Sequence, residues 1–298
     1  MKVLVTGSSG LVGRALVERL ASEGHGVARL VRALPREPQS EFQWDPAQGR
    51  LDPAVLDGLD AVVHLGGENI SAGRWTASQK ERIRASRVDS TRLLARTLAG
   101  LPSKPSVLVC ASAIGYYGNR GEELLSEESG PGTGFLPEVC QAWEAASKPA
   151  EAAGIRVVRL RIGVVLSGAG GALPRMLSAF KLGLGGRLGS GRQYMSWIAL
   201  EDLAAALSLA LTDDRLRGPV NAVAPSPITN AEFTRVLGRA LGRPALLPAP
   251  AFALRLLLGQ MAEELLLASA RVVPRKLKEA GFRYRHPDVE GALRDLLA

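Results

Sequence analysis

Short apolar runs of strand length recur along the chain at Lys2–Thr6, Gly26–Val31, Ala61–Leu65, Ser106–Ala111 and Arg156–Leu166. Between them lie stretches whose apolar residues return every third or fourth position. Leu11, Val12, Ala15, Leu16 and Leu20 form one such stripe, with others over Gln79–Leu98 and Pro137–Ala153. Gly24 is placed to end the first helix. Strand followed by helix, several times over, predicts parallel strands joined by right-handed crossovers. The predicted class is therefore α/β, a doubly wound parallel sheet. From about Ser167 the alternation weakens, and eight glycines between Gly168 and Gly191 mark a loop-rich segment. A smaller C-terminal, substrate-side lobe is expected to begin there. The expected division is a sheet domain over 1–166, with 197–224 returning to it through a helix at Glu201–Leu211, and a lobe over 167–196 and 225–298. Lobe helices are predicted at Asn230–Leu241, with Asn230 as N-cap, and from Ala251 onward.

The junction of first strand and first helix reads Thr6-Gly7-Ser8-Ser9-Gly10-Leu11-Val12-Gly13. Gly7 allows a tight turn, Gly10 lets backbone approach a pyrophosphate, and Gly13 lets the helix pack on the strand. The amides of Ser9, Leu11 and Val12 stand at the helix N-terminus, where an anion is favoured. Glycines in this context predict a Rossmann dinucleotide site. An NAD site places Asp or Glu at the end of the second strand. Here the strand ends Leu30-Val31-Arg32, and the next carboxylate is Glu37. Arg32 offers a forked cation to a 2′-phosphate, so NADP is expected over NAD. The later strand end, His64-Leu65-Gly66-Gly67-Glu68-Asn69, has glycines where a ligand approaches the crevice. Glu68 is expected on the cofactor and Asn69 on the substrate. His64 lies inside the apolar run and reads as a satisfied core histidine.

Charge and cysteine content narrow the partners. Lys and Arg number 37 against 29 Asp and Glu, a net charge of +8. That balance invites a polyanion, but the cations are dispersed, with no run of five and no zinc-finger or aromatic RNA-binding motif. A small-molecule substrate or effector is expected, and no nucleic acid. Cys110 and Cys140 make neither a disulfide framework nor a metal spacing, so no metal is expected and a reducing, cytoplasmic setting fits. The apolar stretch Ala251–Val273 is broken by Arg255, Glu263, Glu264 and Arg271, which predicts an amphipathic helix pair and no membrane span. No export signal is expected at the N-terminus. Either a monomer or a homodimer is compatible.

Several ordered motifs carry a family resemblance. They are Leu65-Gly66-Gly67-Glu68-Asn69-Ile70, Arg74-Trp75 with Lys80-Glu81-Arg82 and Ser86-Arg87, Gly115-Tyr116-Tyr117-Gly118, the glycine-rich run from Leu182 through Arg192-Gln193 to Trp197-Ile198, and Pro274-Arg275-Lys276-Leu277 with Ala280-Gly281-Phe282. In these the chain resembles the extended short-chain dehydrogenase/reductase superfamily. Within it, the chain is similar to the atypical epimerase family proteins, which are related to sugar nucleotide epimerases and carry a C-terminal domain of unknown function. The resemblance implies dinucleotide contacts at Gly7, Gly10, Gly13, Arg32, Leu65, Gly66, Gly67, Arg82 and Arg87, with Val165 near the nicotinamide. It also implies a hydroxyl at Ser112 beside a substrate carbonyl.

Members of that superfamily use Tyr-x-x-x-Lys, in which lysine lowers the tyrosine pKa for proton transfer. No tyrosine here is followed by lysine at that distance, and Cys140 and Glu144 occupy the corresponding places. The expected catalytic set is therefore Ser112 with Tyr116 or Tyr117. Arg192, Gln193 and Trp197 are expected to grip an anionic or sugar-bearing substrate by fork and stacking. The expected activity is that of an NADP-dependent oxidoreductase or epimerase-like protein on a small molecule, with a nucleotide-linked sugar as one candidate. The alternative is an NADP(H)-binding sensor or regulatory protein without turnover.

Overall fold

Val, Leu and Ala crowd both faces of the early strands, which suits strands covered by helices on either side. In the computed structural model, which describes residues 1–297, seven parallel strands form the central sheet. They are β1 (Lys2–Thr6), β2 (Gly26–Val31), β3 (Glu41–Gln43), β4 (Ala61–His64), β5 (Val107–Ala113), β6 (Arg156–Ile162) and β7 (Gly218–Ala222). Their spatial order is β3-β2-β1-β4-β5-β6-β7, so the winding reverses between β1 and β4. In an open α/β sheet, that reversal opens a crevice at the strands' carboxyl ends.

Helix α1 (Leu11–Ser22) and the Leu200–Thr212 helix pack together on one face, enclosing Val3, Val5, Leu16, Leu20, Val109, Leu203 and Leu207. Helices α2 (Ala77–Ala99) and α3 (Phe135–Ala146) pack together on the other. There Leu4, Val62, Leu94, Leu98 and Leu108 form a second apolar layer. Arg156 donates to the carbonyls of Ala210, Leu211 and Leu216 at 2.9 Å, closing the end of the Leu200–Thr212 helix.

Three elements differ from expectation for identifiable reasons. The run Arg156–Leu166 divides at Gly163, where a Cβ would lie 2.7 Å from the Ser196 carbonyl oxygen. Val164–Leu166 then leaves the sheet and pairs with Trp197–Ala199. The N-cap of helix Asn230–Ala240 is Thr229, not Asn230, because Thr229 and Glu232 form a reciprocal capping box. Asn230 instead receives the Leu188 amide on its Oδ1 at 2.8 Å. The predicted helix pair after Ala251 is a helix at Ala251–Leu258, with no buried residue, followed by a π-helical turn at Ala262–Leu267.

The lobe core holds Leu173, Phe180, Phe233, Leu237 and Leu293, together with Leu166 and Trp197, which were expected with the sheet domain. Leu277, Phe282 and Tyr284, expected in the lobe, join the sheet core instead. Among the described residues no helix is long and apolar enough to cross a membrane, and no His, Cys, Asp and Glu group is arranged to hold a metal.

His64 is buried at the end of β4. Its Nδ1 lies 2.6 Å from the Thr6 hydroxyl and its Nε2 3.1 Å from that of Ser90. Burial lowers its pKa from 6.5 to about 4. The unfolded chain therefore binds a proton through this window while the folded one does not, so stability is complete above about pH 6.5 and falls as the pH drops toward 4. The expected loss is about 3 kcal/mol. Urea unfolding at several pH values checks it, and His64→Gln should flatten that part of the profile.

Candidate cofactor and substrate site

The β1–α1 turn is built by glycines with different tasks. Gly7 adopts a φ of +70°, and a Cβ on it would lie 2.9 Å from the Leu65 carbonyl carbon. At Gly13 a Cβ would fall 2.2 Å from the Gly7 carbonyl oxygen, so only glycine lets the helix seat on the turn. Gly10 is different. It caps α1 in an extended conformation, φ −74° and ψ 172°, and a Cβ there would meet only the Gly7 oxygen, at 3.3 Å. An alanine at position 10 therefore needs the Gly7 carbonyl to give by only a few tenths of an ångström, far less than one at position 13. No side chain caps the helix and no acidic residue stands in its first turn, so its amide end is left for an anion. From the lobe, Gly170 and Gly171 lie against the Leu11 side chain, bringing the Ser167–Gly171 loop to the start of α1.

Arg32 directly follows β2 and is exposed; among the described residues its guanidinium has no hydrogen bond or ion pair, and only its carbonyl is engaged, by Gln43. Across the crevice, Leu65, Gly66 and Gly67 leave β4, and the Leu65 amide bonds the Thr6 carbonyl at 3.2 Å. The next turn is tied to α2. Ser86 accepts the Glu68 amide at 2.9 Å, and Arg87 donates to the Glu68 carbonyl at 2.9 Å and the Ile83 carbonyl at 3.1 Å. Arg87 also lies over the Trp143 ring, and burial lowers its pKa. It acts here as a strap on the strand-end loop. Arg82 is exposed and bonds Gln79. Val165 is half-buried beside the lobe's glycine loop.

Further along the sheet edge stands a buried polar network. Ser112 and Arg161 are register partners on β5 and β6, and both reach Glu144 of α3. Arg161 holds the Glu144 carboxylate with two bonds, of 2.8 and 2.9 Å, and donates a third, of 3.0 Å, to the Tyr117 hydroxyl. Burial opposes the charge on Arg161, but Glu144 more than offsets it and raises its pKa above the usual value. The Ser112 hydroxyl donates to Glu144 at 2.8 Å. An ionised carboxylate only accepts, so Ser112 turns lone pairs, not a proton, toward other neighbours.

Tyr117 is fully buried, with its hydroxyl 2.7 Å from Asn221 Oδ1 and 2.9 Å from the Ser126 carbonyl oxygen. Burial raises its pKa against the pull of Arg161. Tyr116 is half-buried, with the Arg161 guanidinium 3.4 Å from its ring centroid; its hydroxyl has no hydrogen bond among the described residues. Cys140 is buried, and burial, followed by the Glu144 charge, pushes its pKa up to about 12, so it is a packed thiol.

The expected substrate residues separate. Asn69 is exposed and accepts from the Ser71 amide and hydroxyl, while Ser71 in turn receives Arg175. Arg192 is exposed with a free side chain among the described residues. Gln193 is buried, and its amide nitrogen is spent on the carbonyls of Leu188 and Leu266, each at 3.0 Å. Trp197 is wholly inside the lobe core. Stacking by Trp197 and gripping by the Gln193 amide are therefore corrected: both side chains build the lobe and present no open face. Arg161 and Asn221 are not marked in the sequence: β6 carries three arginines, Arg156, Arg159 and Arg161, and nothing in their spacing distinguishes the one that pairs with Glu144.

A nucleotide-binding α/β sheet with uncapped helix amides at its reversal point defines the class. The family model for the NAD dependent epimerase/dehydratase family matches residues 3–222, and a domain of unknown function, DUF1731, matches 249–296. The chain belongs to that epimerase/dehydratase family. It is 46% identical over 291 residues to an epimerase family protein of Mycobacterium bovis, covering 98% of this chain and 96% of that one. The crystal structure of human epimerase family protein SDR39U1 (isoform 2) with NADPH superposes with a TM-score of 0.91 at 35% identity, covering 99% of each chain. A nucleoside-diphosphate sugar epimerase of Corynebacterium glutamicum gives a TM-score of 0.81 at 42% identity, covering 98% of this chain but 57% of that one.

Proposed function

We propose that this chain binds NADP(H) in preference to NAD(H), and that it works as an oxidoreductase or epimerase-like protein on a small molecule that enters between the sheet edge and the lobe. The observation that carries the reading is the conjunction at the reversal point: uncapped α1 amides beside Gly10, and the unpartnered Arg32 at the end of β2. The amides suit a pyrophosphate, and the Arg32 fork suits a 2′-phosphate. The NADPH of the human relative's structure supports the same cofactor. When bound, the nicotinamide supplies hydride transfer. The Glu144–Arg161 pair fixes Ser112 as an acceptor for a substrate hydroxyl or amide, and Tyr116 offers the hydroxyl left free for a proton. Nucleotide-linked sugars remain the candidate substrate class, supported by the sugar epimerase relative.

Arg32→Ala should weaken NADPH binding about tenfold or more and leave NADH binding nearly unchanged, as read by calorimetry. Equal loss for both cofactors would remove the assignment of Arg32 to the 2′-phosphate. A second reading, an NADP(H) sensor without turnover, is favoured by one feature: Glu144 holds the place of the usual lysine and is saturated by Arg161 and Ser112. Cofactor-coupled turnover of any member of a sugar-nucleotide panel decides for the enzyme. NADPH-dependent change in a partner's affinity with no consumption decides for the sensor.

A further inference from the structure

Away from the glycine loop, a concavity of about 540 Å³ opens on the outer side of the lobe, between the Asn230–Ala240 helix and the segment that follows it. Arg187, Arg235, Arg239 and Arg243 line it. All four are exposed, and none makes an ion pair or side-chain hydrogen bond among the described residues. Arg235 and Arg239 stand one helical turn apart, a spacing at which like charges repel. The nearby carboxylate of Glu232 accepts from the Thr229 amide and hydroxyl, at 3.0 and 2.7 Å, and attracts Arg235 without forming an ion pair with it. Arg239 also borders a smaller neighbouring hollow, which holds Glu290 and Arg294, again without an ion pair to any of the four.

The returning chain packs closely on the helix beneath these arginines. Gly238 lies so close to the returning chain that a Cβ on it would sit 2.9 Å from the Arg243 carbonyl oxygen and 3.1 Å from the Ala245 Cβ. A larger residue at 238 would push the Arg243 backbone off the helix. Arg187 lies against Gly191, whose carbonyl accepts the Ala231 amide at 2.9 Å, and Ala231 lines the hollow. Ala231, Ala245 and Leu246 add an apolar surface between the cations.

We infer that this concavity is a second ligand site, for an organic phosphate bearing at least two negative charges, independent of the dinucleotide crevice. Guanidinium forks match phosphate oxygens in pairs, and several unpartnered forks around an apolar floor suit a multiply charged head attached to a less polar body. A soluble phosphate ester and an anionic lipid headgroup share this chemistry. Leu246, on the rim and 80% exposed, is compatible with either.

The test uses the full chain saturated with NADPH, so that the dinucleotide crevice is closed to the probe. Sodium tripolyphosphate is titrated by calorimetry at about 50 mM and about 300 mM salt, and in parallel the protein is sedimented with vesicles of phosphatidylcholine alone or mixed with phosphatidylglycerol. One saturable, salt-weakened site, reduced about tenfold or more in Arg235→Glu/Arg239→Glu while NADPH affinity stays within about twofold, supports a soluble phosphate ligand. Binding to the mixed vesicles only, lost in the same variant, supports the lipid source. Absence of both, or binding that the variant leaves unchanged, overturns the site. If the charge reversal impairs folding, Arg235→Gln/Arg239→Gln gives the same comparison with the helix retained.

Discussion

Replacing Arg161 by methionine is expected to cost about 3–5 kcal/mol of stability, the loss typical of an unpartnered buried charge. The Arg161 side chain is 3% exposed and that of Glu144 is 12% exposed, so the carboxylate left behind is poorly reached by water. The same change strips a donor from the Tyr117 hydroxyl and removes the cation above Tyr116. Glu144→Met should be similarly harmful. The double variant should recover part of the loss, because a buried ion pair exchanged for apolar side chains avoids desolvating two charges. Denaturant unfolding of the four proteins measures the coupling. Strict additivity of the two single losses would show that the pair does not act as a unit. The network matters for function because it sets the Ser112 proton toward Glu144 and away from any substrate.

A second large effect is expected at Gly13. The alanine methyl would sit 2.2 Å from the Gly7 carbonyl oxygen and 2.7 Å from the Ser8 Cα, both backbone atoms that cannot rotate aside. Gly13→Ala must therefore lift the first turn of α1 off β1, at a cost of about 3 kcal/mol. Thermal and urea unfolding report that cost, and dinucleotide binding should fail with it. Wild-type stability in Gly13→Ala would mean that the helix does not seat on the turn as described.

These two sites were not equally legible in the sequence. The glycine turn was readable because its whole device is local: three glycines at fixed spacing, a strand before and an amphipathic helix after. The sheet was readable for the same reason, since β1, β2, β4 and β5 are short apolar runs bounded by polar or glycine residues. The Glu144–Arg161 network joins residues on α3 and β6, and its Tyr117–Asn221 arm spans 104 positions. No local spacing encodes such a meeting. The three arginines of β6, Arg156, Arg159 and Arg161, signal buried partners for that strand but not which of them meets Glu144. Gly163 illustrates another limit. Periodicity runs unbroken from Arg156 to Leu166, and the need for the strand to leave the sheet comes from the Ser196 carbonyl, far along the chain. Trp197 and Gln193 misled because a glycine-rich neighbourhood suggests an exposed loop, whereas here the glycines serve close packing between lobe segments. At Gly186, a Cβ would overlap the Leu247 carbonyl oxygen at 1.8 Å.

Gly10 separates ligand from fold, and so provides the most direct test. Its backbone angles suit any residue, and an alanine methyl would touch only the Gly7 oxygen, at 3.3 Å. Titration of NADPH into wild-type and Gly10→Ala protein, alongside their melting curves, is the decisive measurement. The expected result is saturable binding by the wild type, weakened about tenfold or more in the variant with little change in melting, because the methyl intrudes where the pyrophosphate meets the α1 amides. No NADPH binding by the wild type, or equal binding by both proteins, would contradict a dinucleotide seated on that turn.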